Sequence, residues 1–197
     1  MDIPSIERIA ELQQMIADFA KVERVPQLAD AGRPENDVEH SFGLAITCWY
    51  LQPKIAPELD LLKILQYSLA HDIVEIHSGD TFAFGPDKAF IDSKEDRERE
   101  AIEKLKSELP DFPDLVLSAE HYMNKLNEEA KFVKAVDKIL PLIMIDLGEG
   151  AAYWRRHGIN TSKLRENKKT IFVSSIVSPY YEKIFKWLDK NNQLPKD

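Results

Sequence analysis

Residues 61–76 read LLKILQYSLAHDIVEI, and the fold turns on this stretch. Leu61, Leu62, Ile64, Leu65, Leu69, Ala70, Ile73, Val74 and Ile76 leave almost no polar face at helical spacing, which is the pattern of a central, buried helix. The spacing predicts one helix over about 58–77, stopped by Gly79. Set into its apolar surface are His71, Asp72 and Glu75. Separations of three and four residues bring Glu75 beside Asp72 and His71 on one face. Burying such groups unpaired costs several kcal/mol or forces their neutralisation. The plainer alternative is a His-Asp pair at the helix's solvent edge.

Outward from this segment the chain reads as helices throughout. Upstream, residues 4–21 place Ile6, Ile9, Leu12, Met15, Ile16 and Phe19 on one face, with Pro4 near the first turn. Residues 22–36, with Pro26, Gly32 and Pro34, read as an ordered loop. Asn36 and Glu39 form an N-x-x-E capping box for a helix that should end before Pro53. Downstream of Gly79, the aromatic loop TFAFGPDKAF leads to a charged helix over about 93–109 with the narrow stripe Ala101, Ile102, Leu105 and Leu109. A short helix to about 125 follows Pro113. A long one starts after Asn127 and should kink or end at Pro141. Residues 151–191 supply two or three more, broken near Gly158 and Pro179. With only 7 glycines and no alternating Val/Ile/Thr stretches, strands are not expected. The expectation is an all-α, compact helical bundle forming a single domain over 1–197, its motif-bearing core at about 24–145.

Composition narrows the function. A formal charge of −8, from 26 basic and 34 acidic residues, opposes capture of a nucleic-acid polymer or an anionic membrane. Cys48 is the only cysteine, so no intrachain disulfide can form. The first twenty residues are charged and amphipathic, and no 18-residue apolar run occurs. A cytoplasmic location is expected.

Two further ionisable residues sit on apolar stripes. Asp137, in KFVKAVDKILPLIMI, has Val133 four residues before it and Leu140 three after. Pairing with Lys134 or Lys138 is its plainer use. His40 lies in the first turn of its helix, ahead of Phe42, Leu44, Ala45 and Ile46. Together His40, His71, Asp72 and Asp137 make a mixed nitrogen and oxygen donor set suited to one divalent ion among Mn, Co, Fe, Ni, Zn or Mg. Four protein donors leave room for water and substrate only above tetrahedral coordination, which favours Mn, Co, Fe or Mg over a closed zinc site.

The ordered quartet, with ENDVEHS around His40, LAHDIVEIHSGDT around the pair and KAVDKILPL around Asp137, resembles the HD-domain superfamily of metal-dependent phosphohydrolases, and within it the compact 5'-deoxynucleotidase branch and its relatives. The resemblance implies that the quartet ligates the metal. It implies too that Glu75 and Asp80 work on water and leaving group, and that Arg24 meets the phosphate of a small phosphorylated substrate such as a nucleotide. In the characterised nucleotidases a tryptophan implicated in deoxyribose selection follows that arginine; here Val25 stands there. The resemblance and the amphipathic terminal helices also suggest a homodimer. Glu75 can instead merely orient His71, and Asp80 can be a turn residue beside Gly79. Two rival functions use the same frame: an iron-dependent oxygenase, for which His77 and His121 are the spare histidines, and a non-catalytic nucleotide-binding module. Phe82, Phe84 and Phe90 either stack a base or pack their loop. The run SKEDREREAIEK reads as a solvated face whose basic residues can reach over the site.

Overall fold

The computed structural model describes residues 3–28 and 32–194, and two of its helices start at the caps read from sequence, Asn36 and Asn127. α1 (Ile6–Phe19) begins where the Ser5 hydroxyl accepts from the Arg8 amide. α2 (Asp37–Ile55) begins in the expected capping box: Asn36 Oδ1 accepts from the Glu39 amide at 3.0 Å, and Glu39 Oε2 from the Asn36 amide at 3.1 Å. Asp60 caps α3 (Leu61–Ala70), and Asn127 caps the long α8 (Glu128–Leu147). Between them lie α4 (Glu75–Ser78), α5 (Lys88–Asp92), α6 (Lys94–Glu108) and α7 (Pro113–Met123), the last with Pro113 at its first position. The C-terminal part is α9 (Ala151–Arg156), α10 (Thr161–Asn167), a 3₁₀ helix (Lys168–Val173) and α11 (Tyr180–Lys190).

The all-α expectation holds, with four local corrections. The expected loop at 22–36 carries a small antiparallel pair, β1 (Glu23–Gln27) and β2 (Pro34–Asn36), in which Glu23 faces Asn36 and Gln27 faces Pro34; part of that segment lies outside the described residues. The expected helix over 58–77 is two helices separated by a turn at 71–74. There the bonding shortens to i→i+3, with the Ile73 amide on the Ala70 carbonyl and the Glu75 amide on that of Asp72. α5 lies inside the expected aromatic loop. Finally, α2 continues through Pro53 to Ile55, past its expected end, and of the two outcomes expected at Pro141 the ending does not occur, since α8 runs on to Leu147. Each proline withholds one amide from the carbonyl four residues back, which for Pro141 is that of Asp137. Packing of the flanking turns outweighs the loss.

The core has two parts. Leu44, Ile64, Tyr67, Phe132, Val133, Val136 and Trp154 belong to the larger, built on α2, α3, α8 and the C-terminal helices; Phe19, Ala70, Ile73, Val74, Ile102, Leu105 and Val116 form the smaller. α3 feeds the first through Ile64 and Tyr67, and the chain crosses to the second at Ala70, so His71 and Asp72 sit at the seam. The apolar stripe of α1 is split: Phe19 is buried and Leu12 and Met15 pack against the smaller core, whereas Ile6, Ile9 and Ile16 are exposed. No helix among the described residues is long and apolar enough to cross a membrane.

Replacing Leu44, which is completely buried, by alanine should cost about 2–5 kcal/mol in urea unfolding. Leu126→Ser, at an exposed position, should stay within ~0.5 kcal/mol of the parent protein.

Candidate metal centre

Three elements deliver four side chains to the seam. The capping box starts α2 so that His40 falls in its first turn, 2% exposed. The turn after α3 supplies His71 and Asp72, and α8 supplies Asp137, 3% exposed. His40, His71 and Asp72 offer ligand atoms that all lie within 4.8 Å of one another. Asp137 joins through the histidines, its Oδ1 3.1 Å from His40 Nε2 and 4.0 Å from His71 Nε2. The four residues expected from sequence therefore converge. The plainer alternative for Asp137 is present as well, since Lys138 Nζ lies 2.9 Å from its Oδ2, where the Tyr122 hydroxyl also donates at 3.0 Å.

Hydrogen bonding tests whether these residues suit a cation. His71 Nδ1 faces the Ser68 carbonyl at 2.9 Å; a carbonyl only accepts, so Nδ1 carries the proton and, in the neutral ring, Nε2 presents a lone pair. That Nε2 is buried without a hydrogen bond, yet stands 2.8 Å from Asp72 Oδ2. In the neutral ring two acceptor atoms are thus in contact, an arrangement that a second proton on the imidazole or a shared cation relieves. The donor set thus fits a divalent metal of the imidazole and carboxylate class.

Acidic groups crowd the same floor. Asp37, Asp72 and Glu75 form a second group of mutually close ligand atoms. Burial, with the charge of Asp72, raises Asp37 to about 6 even with Arg24 beside it. Burial likewise pushes Glu75 well above the carboxylate range, reinforced by Asp72. Glu75 Oε1 meets Lys94 Nζ at 3.4 Å, and Oε2 has no partner. Burial opposes the ionised forms of Asp72 and Asp137 too, but His71 beside the former and Lys138 and His40 beside the latter hold both well below their ordinary values. Asp80 follows Gly79, whose φ of +71° ends α4 and turns the chain into the cleft. It is half-buried and lines the cleft.

The cleft above this floor has a volume of about 880 Å³. Arg24 reaches it from β1, but its Nη1 donates to Asp72 Oδ2 at 2.8 Å and to Asp37 Oδ1 at 3.0 Å, so it braces carboxylates as well as facing the opening. The neighbouring Val25 is half-buried against the larger core. Other residues behave more plainly: His77 bonds Glu108 at 2.8 Å, His121 faces the Tyr67 hydroxyl at 3.5 Å, Phe82 and Phe84 pack on the core, and Phe90 lies under Arg97. His157 packs against Phe82 and Tyr153. Sequence reading missed Glu35, Asp37, Tyr122 and Lys168; it named Lys134 and Lys138 as partners for Asp137 and placed Lys94 in the charged run able to reach over the site. Asp37 is the first residue of the capped helix, so it was findable by helical spacing. Lys168 carries no local signal.

A protein-family model described as HD domain matches residues 19–178. Among solved structures, the chain is similar to a predicted metal-dependent phosphohydrolase from Magnetospirillum magnetotacticum MS-1, with 28% identity and a TM-score of 0.78 over 98% of this chain and 100% of that one. No match was found among curated proteins.

Adding Mn(II) or Co(II) at about a hundred times its dissociation constant should stabilise the protein by ~2.7 kcal/mol in thermal unfolding. His71→Ala should abolish the gain. Without metal, Glu75 has a raised native pKa, so its stabilising contribution is complete below the ordinary glutamate value and declines as pH rises through the native one. Glu75→Gln should flatten that decline in urea unfolding measured against pH.

Proposed function

Since the chain belongs to the HD domain family, we propose that it is a metal-dependent phosphohydrolase, one HD-type hydrolase domain, that releases phosphate from a nucleoside 5'-monophosphate or a similar small phosphomonoester in the cytoplasm. The observation that carries this reading is the buried opposition of His71 Nε2 and Asp72 Oδ2, with His40 and Asp137 beside it, on the floor of an open cleft. The similar Magnetospirillum protein is described as a phosphohydrolase, and the motifs resemble those of the 5'-deoxynucleotidase branch.

His40, His71, Asp72 and Asp137 would hold the ion, drawn from Mn, Co, Fe, Ni, Zn or Mg. When bound, it supplies neutralising charge for the phosphoryl group and a more acidic water. Arg24 offers a guanidinium at the cleft, able to make bidentate contact with phosphate oxygens and to offset the net acidity of the protein. Asp80 takes a proton from the attacking water. Glu75, which holds its proton because it is buried, returns one to the departing 5'-oxygen.

Phosphate release from ribo- and deoxyribonucleoside 5'-monophosphates, assayed with each metal, is the direct test; no release with any metal rejects the reading. Glu75→Gln should lower kcat on a nucleotide by ~10²–10⁴. The loss should be much smaller on p-nitrophenyl phosphate, whose leaving group needs no proton; equal losses on both would assign Glu75 to the water instead.

Self-association is part of the proposal. Ile6, Ile9 and Ile16 on α1 and Phe42, Ile46 and Trp49 on α2 leave large apolar side chains outside the core. Light scattering should give twice the 22.6 kDa mass of the chain, and a monomer mass would remove this element.

A further inference from the structure

A second hollow, of about 280 Å³, adjoins the metal cleft and shares Arg24, Asp80, Thr81, Lys94, Lys134 and Lys138 with it. The part that the cleft does not share is lined by Phe82, Phe84, Tyr153 and Trp154, and by Lys168 from the 3₁₀ helix packed on α8. Phe82 stands edge-on to Phe84 and to Tyr153, with ring centroids 5.8 and 6.5 Å apart. Such walls suit a planar ring.

Taken one at a time, the cations of this region are unequally matched. Arg24 has Asp72 and Asp37, Lys94 has Glu75 and Glu98, and Lys138 has Asp137. Lys134 lies over the face of Tyr122, 4.5 Å from its Nζ, with the charges of Asp137 and Asp72 nearby. Lys168 is 7% exposed and has no hydrogen bond or ion pair with any described residue. Burial, helped by the charge of Lys138, draws its ammonium down to about 7. The Trp154 indole N–H is also buried without an acceptor. A largely buried ammonium and a buried indole donor without partners among the described residues each lose hydration, which an anion entering the hollow that both residues line can replace. A single phosphate met by the metal and Arg24 leaves Lys168 unanswered.

We propose that this second hollow receives the body of the substrate and that Lys168 binds a second anionic group on it, so that the preferred phosphomonoesters carry a planar ring and a further carboxylate or phosphate. The first phosphate rests on the phosphohydrolase reading above, whereas the second anion site is a matter of binding alone.

The test therefore measures binding, by calorimetry, in Mn(II)-loaded Glu75→Gln protein. It compares uridine 5'-monophosphate with orotidine 5'-monophosphate, which adds a ring carboxylate, and with uridine 3',5'-bisphosphate, which adds a phosphate. One of the doubly anionic ligands should bind about tenfold or more tightly than uridine 5'-monophosphate, as a charge-assisted hydrogen bond provides; the one that does identifies the anion. Adding Lys168→Met should erase that ratio, and adding Lys168→Arg should keep it. Equal or absent binding of the three, or a ratio that survives Lys168→Met, overturns the proposal. A Lys168-dependent ratio in a protein that releases no phosphate with any metal would uphold the anion site and reject the phosphohydrolase reading.

Discussion

The buried His71 Nε2, held 2.8 Å from the Asp72 carboxylate, is the contact around which the rest is arranged. With the imidazole neutral both atoms accept, and only a second proton on the ring or a cation between them relieves the contact. Their orientation is fixed locally: the Ser68 carbonyl holds the imidazole, and Arg24 holds Asp72. A donor set brought together by the fold in this way would couple the binding of a cation to stability.

The central helix is interrupted at the site. At the i→i+3 turn at 71–74 His71 and Asp72 both lie beside His40 of α2, and the chain passes from the larger apolar cluster to the smaller. Glu75 then opens α4 with its carboxyl buried next to Asp72, which is why its proton is held so firmly. On the other wall, Lys134, Lys138 and Lys168 face the hollow that adjoins the acidic floor. The cleft thus has an acidic floor and a basic flank, an asymmetry that a net charge of −8 conceals.

Much of this was legible from residue order because it depends on short-range rules. Apolar periodicity, the Asn36–Glu39 box and the Asn127 cap involve partners three or four residues apart, so the sequence determined the helices and their starts. Ionisable residues on apolar stripes likewise marked His40, His71, Asp72 and Asp137, since burial makes such groups conspicuous wherever they occur. Where the reading failed, a distant contact outweighed a local preference. Propensity alone ends a helix at Pro53 or Pro141, yet core packing carries both helices past the missing amide. Strand pairing of 23–27 with 34–36, and the exposure of half of the α1 stripe, likewise depend on neighbours that periodicity cannot name.

The sequence by itself determined an all-helical chain and the four residues able to hold a cation, because helix periodicity and the cost of burying charge act within a few residues. Only the tertiary structure decided that His71 and Asp72 face one another as acceptors, that Arg24 braces carboxylates, and that Lys168 lines the hollow beside the cleft. The last two join segments tens of residues apart along the chain, the first depends on how the side chains turn at the seam, and side-chain electrostatics act through space.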